Sequence, residues 1–201
     1  MTNTRKAAMA VLVAGCCVAL QSQAQELQSP WQVRLRAVHL DMSNKDGTGL
    51  GLTVNNRSIP AIDVSYFFTP NMAAELVLTS PQKQTVYSNG VEIGTFRHQP
   101  PTLTLQYHFT GLQGYRPYLG AGINYTDITK VNILSGGATL DSHSWGLALQ
   151  AGVDIPLDRN WSINFDLKKV YLRTDVFQGA TNLGTLKLDP LMAGVGLGYR
   201  F

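Results

Sequence analysis

The chain has 201 residues, with 16 basic and 13 acidic side chains and a hydrophobic fraction of 44%. This length suits a single domain, and the near balance of charges argues against nucleic acid as a partner. No segment beyond residue 24 is apolar over the roughly 20 residues that a transmembrane helix needs. If the protein crosses a membrane, it therefore has to do so as a closed β-barrel.

The N-terminus has the features of an export signal. Arg5 and Lys6 precede an apolar run that is too short to span a bilayer, and small residues lead up to Ala24. We therefore predict a signal peptide over residues 1–24 and a mature domain over residues 25–201. Removal of Arg5 and Lys6 lowers the formal net charge from +3 to +1.

An alternative cleavage point lies at Cys16, because the Val-Ala-Gly triplet before it resembles a lipoprotein signal. That cleavage would leave a lipidated Cys16 at the N-terminus. The residues after Cys17 stay apolar, where a lipoprotein usually turns polar, and this favours cleavage after Ala24. Both cysteines then leave with the signal, so the mature domain has no disulfide, thiolate metal site or cysteine nucleophile.

Eight segments of the mature chain alternate between apolar and polar residues, which is the period of a β-strand. They cover residues 31–37, 62–68, 74–79, 103–109, 119–125, 145–153, 161–168 and 191–201. This pattern predicts an all-β fold: an eight-stranded antiparallel transmembrane β-barrel with short periplasmic turns and longer extracellular loops.

A soluble β-sandwich is the alternative, because its strands also alternate. Aromatic residues at strand ends favour the barrel, since interfacial girdles have this arrangement. They include Trp31, Tyr107, Trp145 and Trp161. Short connections also alternate with long ones, as periplasmic turns alternate with outer loops. The predicted location is the outer membrane of a Gram-negative cell, with outer-membrane lipid around the barrel.

Two local signals add detail to this prediction. Asn89-Gly90, inside the second long loop, predicts a small hairpin standing above the membrane. Phe201 ends the last alternating strand, two residues after Tyr199. This ending is typical of the signal that the outer-membrane assembly machinery recognises, so we expect that machinery to be a partner during biogenesis.

The parity of each strand places two sets of side chains inside the barrel. Charged residues collect in the periplasmic half, where burial requires them to pair. We predict that this ionic plug consists of Arg34, Arg36, Asp63, Glu75, Asp154, Asp166 and Arg200. We predict that the outer half is lined by Val38, Leu40, Val77, Val170, Leu172 and Met192. The result would be an apolar funnel above a plug; the alternative is an anchor whose interior is filled by its own side chains.

Catalytic, metal-binding and nucleotide-binding patterns are incomplete. His143 and Ser144 are adjacent in a strand and point to opposite faces, so they cannot act as base and nucleophile. Asp46 and its neighbours partly fit a calcium loop, but Thr53 stands where a bidentate acid is needed. The glycines of residues 194–198 lack the helix that a nucleotide loop precedes. We predict no enzymatic activity, no cofactor and no metal site.

Nearly all of the mature chain resembles the OmpW family of outer-membrane proteins. The resemblance is carried by residues 100–109, 116–125, 144–154, 187–190 and 198–201. It implies a monomeric eight-stranded barrel with an apolar lumen, passive uptake of small hydrophobic molecules and, in some members, a receptor role for phage or bacteriocins. One departure is Lys168, near where some relatives carry an apolar aromatic lumen residue, and it argues against tight selection for hydrophobic solutes.

We therefore expect passive passage of small, mainly hydrophobic molecules across the outer membrane. The alternative is a structural or receptor barrel without transport. An apolar solute gains little from crossing an ionic plug, so we expect it to leave sideways through the wall. Proline interrupts a strand ladder. Pro100 and Pro101 predict a lateral opening between the third and fourth strands, with Pro60 as the second candidate.

Overall fold

A computed structural model describes residues 29–201 of the chain. The predicted signal peptide, and with it the choice between cleavage at Cys16 and after Ala24, lies outside these residues. The described chain is all-β apart from a single 3₁₀ turn, Leu134–Gly136. Within residues 29–201, helical structure falls short of the length and apolarity of a membrane-spanning helix.

The described residues form fifteen strands. Those of the barrel wall are β1 (Trp31–Asp41), β4 (Arg57–Phe67), β5 (Met72–Thr79), β8 (Thr102–His108), β9 (Arg116–Ile133), β11 (His143–Pro156), β12 (Trp161–Val170) and β15 (Leu191–Arg200). The others are β2 (Lys45–Asp46), β3 (Leu52–Val54), β6 (Gln82–Ser88), β7 (Val91–Gln99), β10 (Thr139–Leu140), β13 (Arg173–Gln178) and β14 (Thr181–Lys187).

The eight wall strands close into an antiparallel barrel. Each pairs with the next wall strand along the chain, and β15 pairs back onto β1 from Gln32 opposite Arg200 to Asp41 opposite Leu191. The prediction of an eight-stranded antiparallel barrel is confirmed. We call the end that holds Trp31 and Phe201 the lower end and the opposite end the upper end.

Strict alternation of burial explains why these segments form the wall. In β1, every second residue from Gln32 to Leu40 is buried in the lumen, and most of the residues between them are exposed on the outside. The outside is apolar, with Leu35, Leu105 and Leu147 each at least half exposed. A barrel that is apolar outside and polar inside is the arrangement that lipid requires.

Aromatic side chains contact one another around the outside of the barrel near both ends. At the lower end, ring centroids lie 4.9 Å apart for Trp31–Tyr66 and for Trp161–Tyr199. At the upper end, the centroids of Tyr125 and Trp145 lie 4.8 Å apart. Such girdles mark the two water–lipid interfaces of a transmembrane barrel.

The long connections at the upper end are largely strands rather than irregular loops. β3, β6 and β7 pair in that order and continue onto the upper part of β9, which is 18 residues long. β10, β13, β14 and β2 form a second, separate sheet. The predicted hairpin at Asn89-Gly90 is confirmed as the turn between β6 and β7, where both residues have positive φ, 49° and 82°.

Glycines of β15 leave room for two long arginines that cross the lumen. A Cβ added to Gly196 would lie 2.0 Å from the carbonyl oxygen of Leu35 and 2.7 Å from Cγ of Arg36. A Cβ on Gly198 would lie 3.2 Å from Cγ of Arg34. Glycine in a strand often marks such a close approach.

A substitution of Gly196 by alanine should therefore destabilise the barrel. We expect a loss of about 1–3 kcal/mol of unfolding free energy, because the new methyl group overpacks the backbone of β1. Urea titration of the refolded barrel, followed by heat-modifiable gel mobility, measures it. Gly194→Ala is the matched control, since its nearest atom would be Cγ2 of Val38 at an ordinary 3.4 Å. Equal losses for both variants would contradict the steric explanation.

Candidate functional site

A layer of buried charges fills the lower half of the lumen. Arg34 is fully buried, and its Nε and Nη2 donate to the two carboxylate oxygens of Asp154 at 3.2 and 2.7 Å. Its Nη1 donates to Oγ of Ser65 at 2.9 Å and to Oε2 of Glu75 at 3.2 Å. The bidentate contact is the strong form of an arginine–carboxylate pair. Arg34 thereby connects β1 with β4, β5 and β11.

Arg36 contacts three carboxylates of the layer, one of which, Glu75, it shares with Arg34. Its Nε lies 2.5 Å from Oδ2 of Asp63, its Nη1 3.0 Å from Oδ1 of Asp166, and its Nη2 3.6 Å from Oε2 of Glu75. The carboxylate of Asp63 accepts no hydrogen bond from the described residues, so it is stabilised by electrostatic attraction, chiefly to Arg36 and also to Lys168. Asp166 accepts a further hydrogen bond from the hydroxyl of Tyr118 at 2.8 Å.

Lys168 is a member of the layer that the sequence pattern did not single out. Its Nζ donates to Oε1 of Glu75 at 2.9 Å, and its side chain is almost fully buried. Strand parity could have indicated that Lys168 faces the lumen, because Lys168 follows the inward-facing Asp166 by two residues. The third cation of the layer is therefore Lys168, from β12.

Arg200 does not join the layer, contrary to the prediction. Its guanidinium carbon lies 4.0 Å from the ring centroid of Phe67, and its Nε donates to the carbonyl oxygen of Ser29 at 3.1 Å. Among the described residues it forms no ion pair with a carboxylate. The physical reason is its position, since the last residue of β15 directs its side chain into the open lower mouth.

Neutral side chains complete the layer across the lumen. Nε2 of Gln150 donates to Glu75 at 2.9 Å and to Asp166 at 2.6 Å, while its Oε1 accepts from Thr104 and Gln106 at 3.0 and 3.2 Å. With Tyr118, every wall strand except β15 contributes a side chain. We call this set of charged and neutral groups the ionic layer.

The six residues predicted to line the funnel are all buried above the ionic layer. Val38, Leu40, Val77, Val170, Leu172 and Met192 belong to one apolar cluster. None is more than 7% exposed, so they pack together rather than surround a wide open channel. This part of the interior matches the filled-barrel alternative more closely than an open funnel.

An open apolar cavity lies higher, between the two sheets that the long connections form at the upper end. Its volume is about 260 Å³. Its lining includes Leu52, Val86, Ile133, Leu140, Val176 and Leu186. We call it the upper cavity. The sequence pattern missed it because these residues lie in segments that were predicted as loops.

One side of the upper lumen is polar, although the sequence predicted an apolar lining. Buried polar side chains follow β5 to β9, namely Thr79, Gln82, Gln84, His98, Thr102, Asn124 and Thr126. Nε2 of Gln84 lies 3.2 Å from Nε2 of His98. Burial lowers the pKa of His98 to about 4, so its ring is neutral at pH 7. We call these residues the polar side.

The ladder between the third and fourth wall strands is interrupted beside the predicted proline pair. Pairing of β5 with β8 ends at Val77 opposite Thr102. The next pairing upward is Gln82 opposite His98, between β6 and β7. Pro100 and Pro101 form the link from β7 to β8 within this gap. We call it the ladder break.

Side-chain donors cap the backbone carbonyls of the ladder break. Nε2 of Gln99 donates to the carbonyl of Thr79 at 3.1 Å, and Nε2 of Gln82 donates to that of Ser80. The carbonyl of Pro100 accepts from Oγ1 of Thr102 at 3.2 Å, and that of Pro101 from Nδ2 of Asn124 at 3.1 Å. Side-chain donors therefore replace ladder hydrogen bonds at Thr79, Ser80 and Pro100. The carbonyl of Pro101 also accepts from the backbone N–H of Tyr125 at 3.1 Å, within the β8–β9 ladder.

Pro60, the second candidate, lies within β4 opposite Ala37 of β1. Pairing of β4 with β5 begins one residue further on, at Ala61 opposite Thr79. Pro60 thus stands at the upper end of the β4–β5 ladder. The side chain of Arg57 bridges to the carbonyl of Lys83 above it, at 2.5 Å.

A vestibule with a mixed polar and apolar lining opens below the ionic layer. Its volume is about 990 Å³. Its lining includes Gln32, Phe67, His108, Arg116, Asp154 and Arg200. The ionic layer therefore lies between an apolar cavity at the upper end and a vestibule of mixed lining at the lower end.

Comparisons with known proteins agree on the kind of barrel. The OmpW family matches residues 32–201. The uncharacterized outer-membrane protein y4mB of Sinorhizobium fredii is 42% identical over 184 residues, which cover 86% of this chain and 80% of that protein. The dibenzothiophene metabolism operon protein PahQ of Pseudomonas aeruginosa is 29% identical over 206 residues, with coverages of 92% and 94%. The crystal structure of the outer membrane protein OprG from Pseudomonas aeruginosa has the same fold, with a TM-score of 0.74, 24% identity and coverages of 87% and 97%.

Loss of the Glu75 charge should destabilise the barrel strongly. Glu75→Gln leaves three buried cations with one carboxylate fewer, and breaking a buried pair on one side typically costs about 3–5 kcal/mol. The unfolding midpoint in urea measures the effect. Glu92→Gln makes the same chemical change at an exposed position of β7 and should leave the midpoint nearly unchanged. Similar midpoints for the two variants would show that the ionic layer does not stabilise the fold.

Proposed function

The chain belongs to the OmpW family of outer-membrane β-barrels, and we propose that it admits small, mainly hydrophobic molecules passively through the outer membrane. The matched family and fold are those of outer-membrane barrels rather than of enzymes. In this membrane the lower end, with Trp31 and Phe201, faces the periplasm and the upper end faces outward. The observation that carries the proposal is the apolar upper cavity, which lies on the outward side of the ionic layer.

The size and lining of the upper cavity fit a small apolar guest. Apolar protein cavities of about 150 Å³ stay dry and bind molecules such as benzene. The upper cavity, at about 260 Å³, has room for a larger guest of the same class. One relative is named for a dibenzothiophene metabolism operon, and dibenzothiophene is itself an apolar aromatic compound.

A guest in the upper cavity leaves through the wall in this proposal. The ionic layer closes the direct way down, because a passing apolar molecule would separate buried charges from their partners. The ladder break offers a lower-cost route, since few backbone hydrogen bonds have to be broken there. Pro100 and Pro101 keep the break open because neither can donate to a ladder. Pro60 stays the second candidate.

Replacement of Pro100 and Pro101 by valine should slow uptake. Valine supplies the missing N–H groups and favours a strand, so the ladder between β5 and β8 can extend upward. Uptake of a radiolabelled apolar probe such as naphthalene by cells expressing the protein measures the effect. We expect a severalfold decrease, with Pro60→Val tested in parallel. Pro117→Val, at the periplasmic end, should have no effect. Unchanged uptake in a double variant whose new N–H groups are protected from hydrogen exchange would reject the lateral route.

A structural or receptor barrel without transport is the second candidate function. The observation that favours it is the dense packing of the apolar cluster above the ionic layer, where no residue predicted to line the funnel exceeds 7% exposure. Flux of naphthalene into liposomes that contain the purified protein separates the two functions. No flux above that of protein-free liposomes would favour the anchor or receptor.

We also propose that Tyr199 and Phe201 form the signal for the assembly machinery. Their ring centroids lie 5.0 Å apart on the lipid side of the last strand, and the N–H of Phe201 donates to the carbonyl of Trp31 at 3.2 Å. Phe201 therefore stands at the seam where β15 meets β1 and closes the barrel.

Phe201→Asp should sharply reduce insertion into the outer membrane without affecting export from the cytoplasm. The amount of heat-modifiable barrel in outer-membrane fractions measures it. Phe68→Asp is the matched control, because Phe68 and Phe201 are both 58% exposed in the lower girdle. Both variants place a charge at the same interface, so a general lipid effect would lower both yields equally. A selective loss with Phe201→Asp is the expected result.

A further inference from the structure

The pair of Gln84 and His98 has no use in the passage of a purely apolar molecule. Both side chains are buried, at 0% and 1% exposure. Oε1 of Gln84 and Nδ1 of His98 have no hydrogen-bond partner among the described residues. Neither side chain caps a carbonyl of the ladder break. Buried polar atoms of native proteins generally have partners, so two unpartnered atoms on touching residues point to a ligand that supplies them.

The chemistry of the free atoms is the same whichever way the pair is assigned. If the amide of Gln84 donates to Nε2 of His98, the free atoms are an acceptor, Oε1, and a donor, Nδ1–H. If the Gln84 amide is turned over, Nε2–H of His98 donates to the amide oxygen instead. The free atoms are then the NH₂ group of Gln84, a donor, and Nδ1 of His98, an acceptor. Each assignment leaves one donor and one acceptor. A hydroxyl group, which both donates and accepts, complements this pair.

The position of the pair places such a hydroxyl beside an apolar compartment. Gln84 is two residues from Val86 on the inward face of β6, and Val86 lines the upper cavity. His98 lies opposite Gln82 at the upper edge of the ladder break. Thr79, whose Oγ1 also lacks a partner among the described residues, is the next inward residue below the break. Apolar surface, a donor–acceptor pair and the break therefore follow one another along one wall.

We propose that Gln84 and His98 bind the hydroxyl of an amphiphilic solute, an alcohol or a phenol, whose apolar body occupies the upper cavity. This hydroxyl site rests on the proposed uptake function and narrows its substrate class. A ketone can satisfy only the donor of the pair, and an alkane satisfies neither atom. The order of preference is therefore alcohol, then ketone, then alkane of the same chain length.

Nuclear magnetic resonance tests binding at the site without reference to transport. The protein is labelled with ¹⁵N-histidine, placed in lipid nanodiscs and titrated with 1-octanol, 2-octanone or n-octane. The His98 signals are identified by their loss in His98→Gln. We expect 1-octanol to shift the His98 ring nitrogens, 2-octanone to shift them less and n-octane to leave them in place. Equal shifts from all three molecules, or none from 1-octanol because water alone satisfies the pair, would overturn the site.

Uptake by cells tests whether the site selects solutes. Gln84→Leu should lower the uptake of radiolabelled 1-octanol relative to n-octane by about 3- to 10-fold, the equivalent of one hydrogen bond. Thr174→Val is the matched control, because Thr174 is also buried and its hydroxyl has no partner within residues 29–201, but it lies on β13 of the other extracellular sheet. The ratio of 1-octanol uptake to n-octane uptake should be the same in Thr174→Val as in the wild type. Heat-modifiable mobility confirms that each variant is folded.

The outcomes separate the hydroxyl site from the uptake function. If Gln84→Leu takes up both molecules in the wild-type ratio, the hydroxyl site is wrong and apolar uptake stands. If the wild-type protein takes up neither molecule, the uptake function is wrong. A His98 shift that 1-octanol produces and n-octane does not would still support the site in that case.

Discussion

The pairing of Glu75 with three cations is the interaction on which the rest of the interior depends. Its carboxylate contacts Arg34, Arg36 and Lys168, which come from β1 and β12. The interior of an eight-stranded barrel has little room for water to solvate these charges, so each needs a partner from across the lumen. The same contacts that satisfy the charges also close the barrel below the apolar cluster. The closed floor is therefore a consequence of how the charges are buried.

A closed floor constrains where a molecule in the upper cavity can leave, and β5 connects the two features. Glu75, Val77 and Thr79 are consecutive inward residues of this strand. Glu75 belongs to the ionic layer, Val77 makes the last ladder pairing with β8, and Thr79 lies at the ladder break. The backbone pairing between β5 and β8 thus ends within two inward positions of the ionic layer. The interruption of the β5–β8 ladder therefore lies at the level of the packed apolar cluster, directly above the ionic layer.

Strand parity was sufficient to predict the barrel and most of its interior, because a period of two assigns each wall residue to the lumen or to lipid. It could not predict how far a side chain reaches. Lys168 and Arg200 both face inward by parity, yet the lysine bends to Glu75 whereas the arginine stacks on Phe67 at the open mouth. The upper cavity was beyond prediction for another reason. Its lining comes from sheets that assemble only when distant loops meet, and alternation along one segment carries no information about such pairings.

The polar side shows that the ladder break is a stable feature of the wall rather than a place where strands fail to pair. Backbone carbonyls that face an apolar lumen without partners would be costly. Gln82, Gln99, Thr102 and Asn124 supply donors to four of them from side chains. The donors to Ser80 and Pro100 lie on the same side of the break as the carbonyls they cap, so those two bonds survive when the strands separate. The bond from Gln99 to Thr79 joins β7 to β5 across the break and has to be broken. Gln84 and His98 extend the same polar surface past the last capped carbonyl, toward Val86 of the upper cavity.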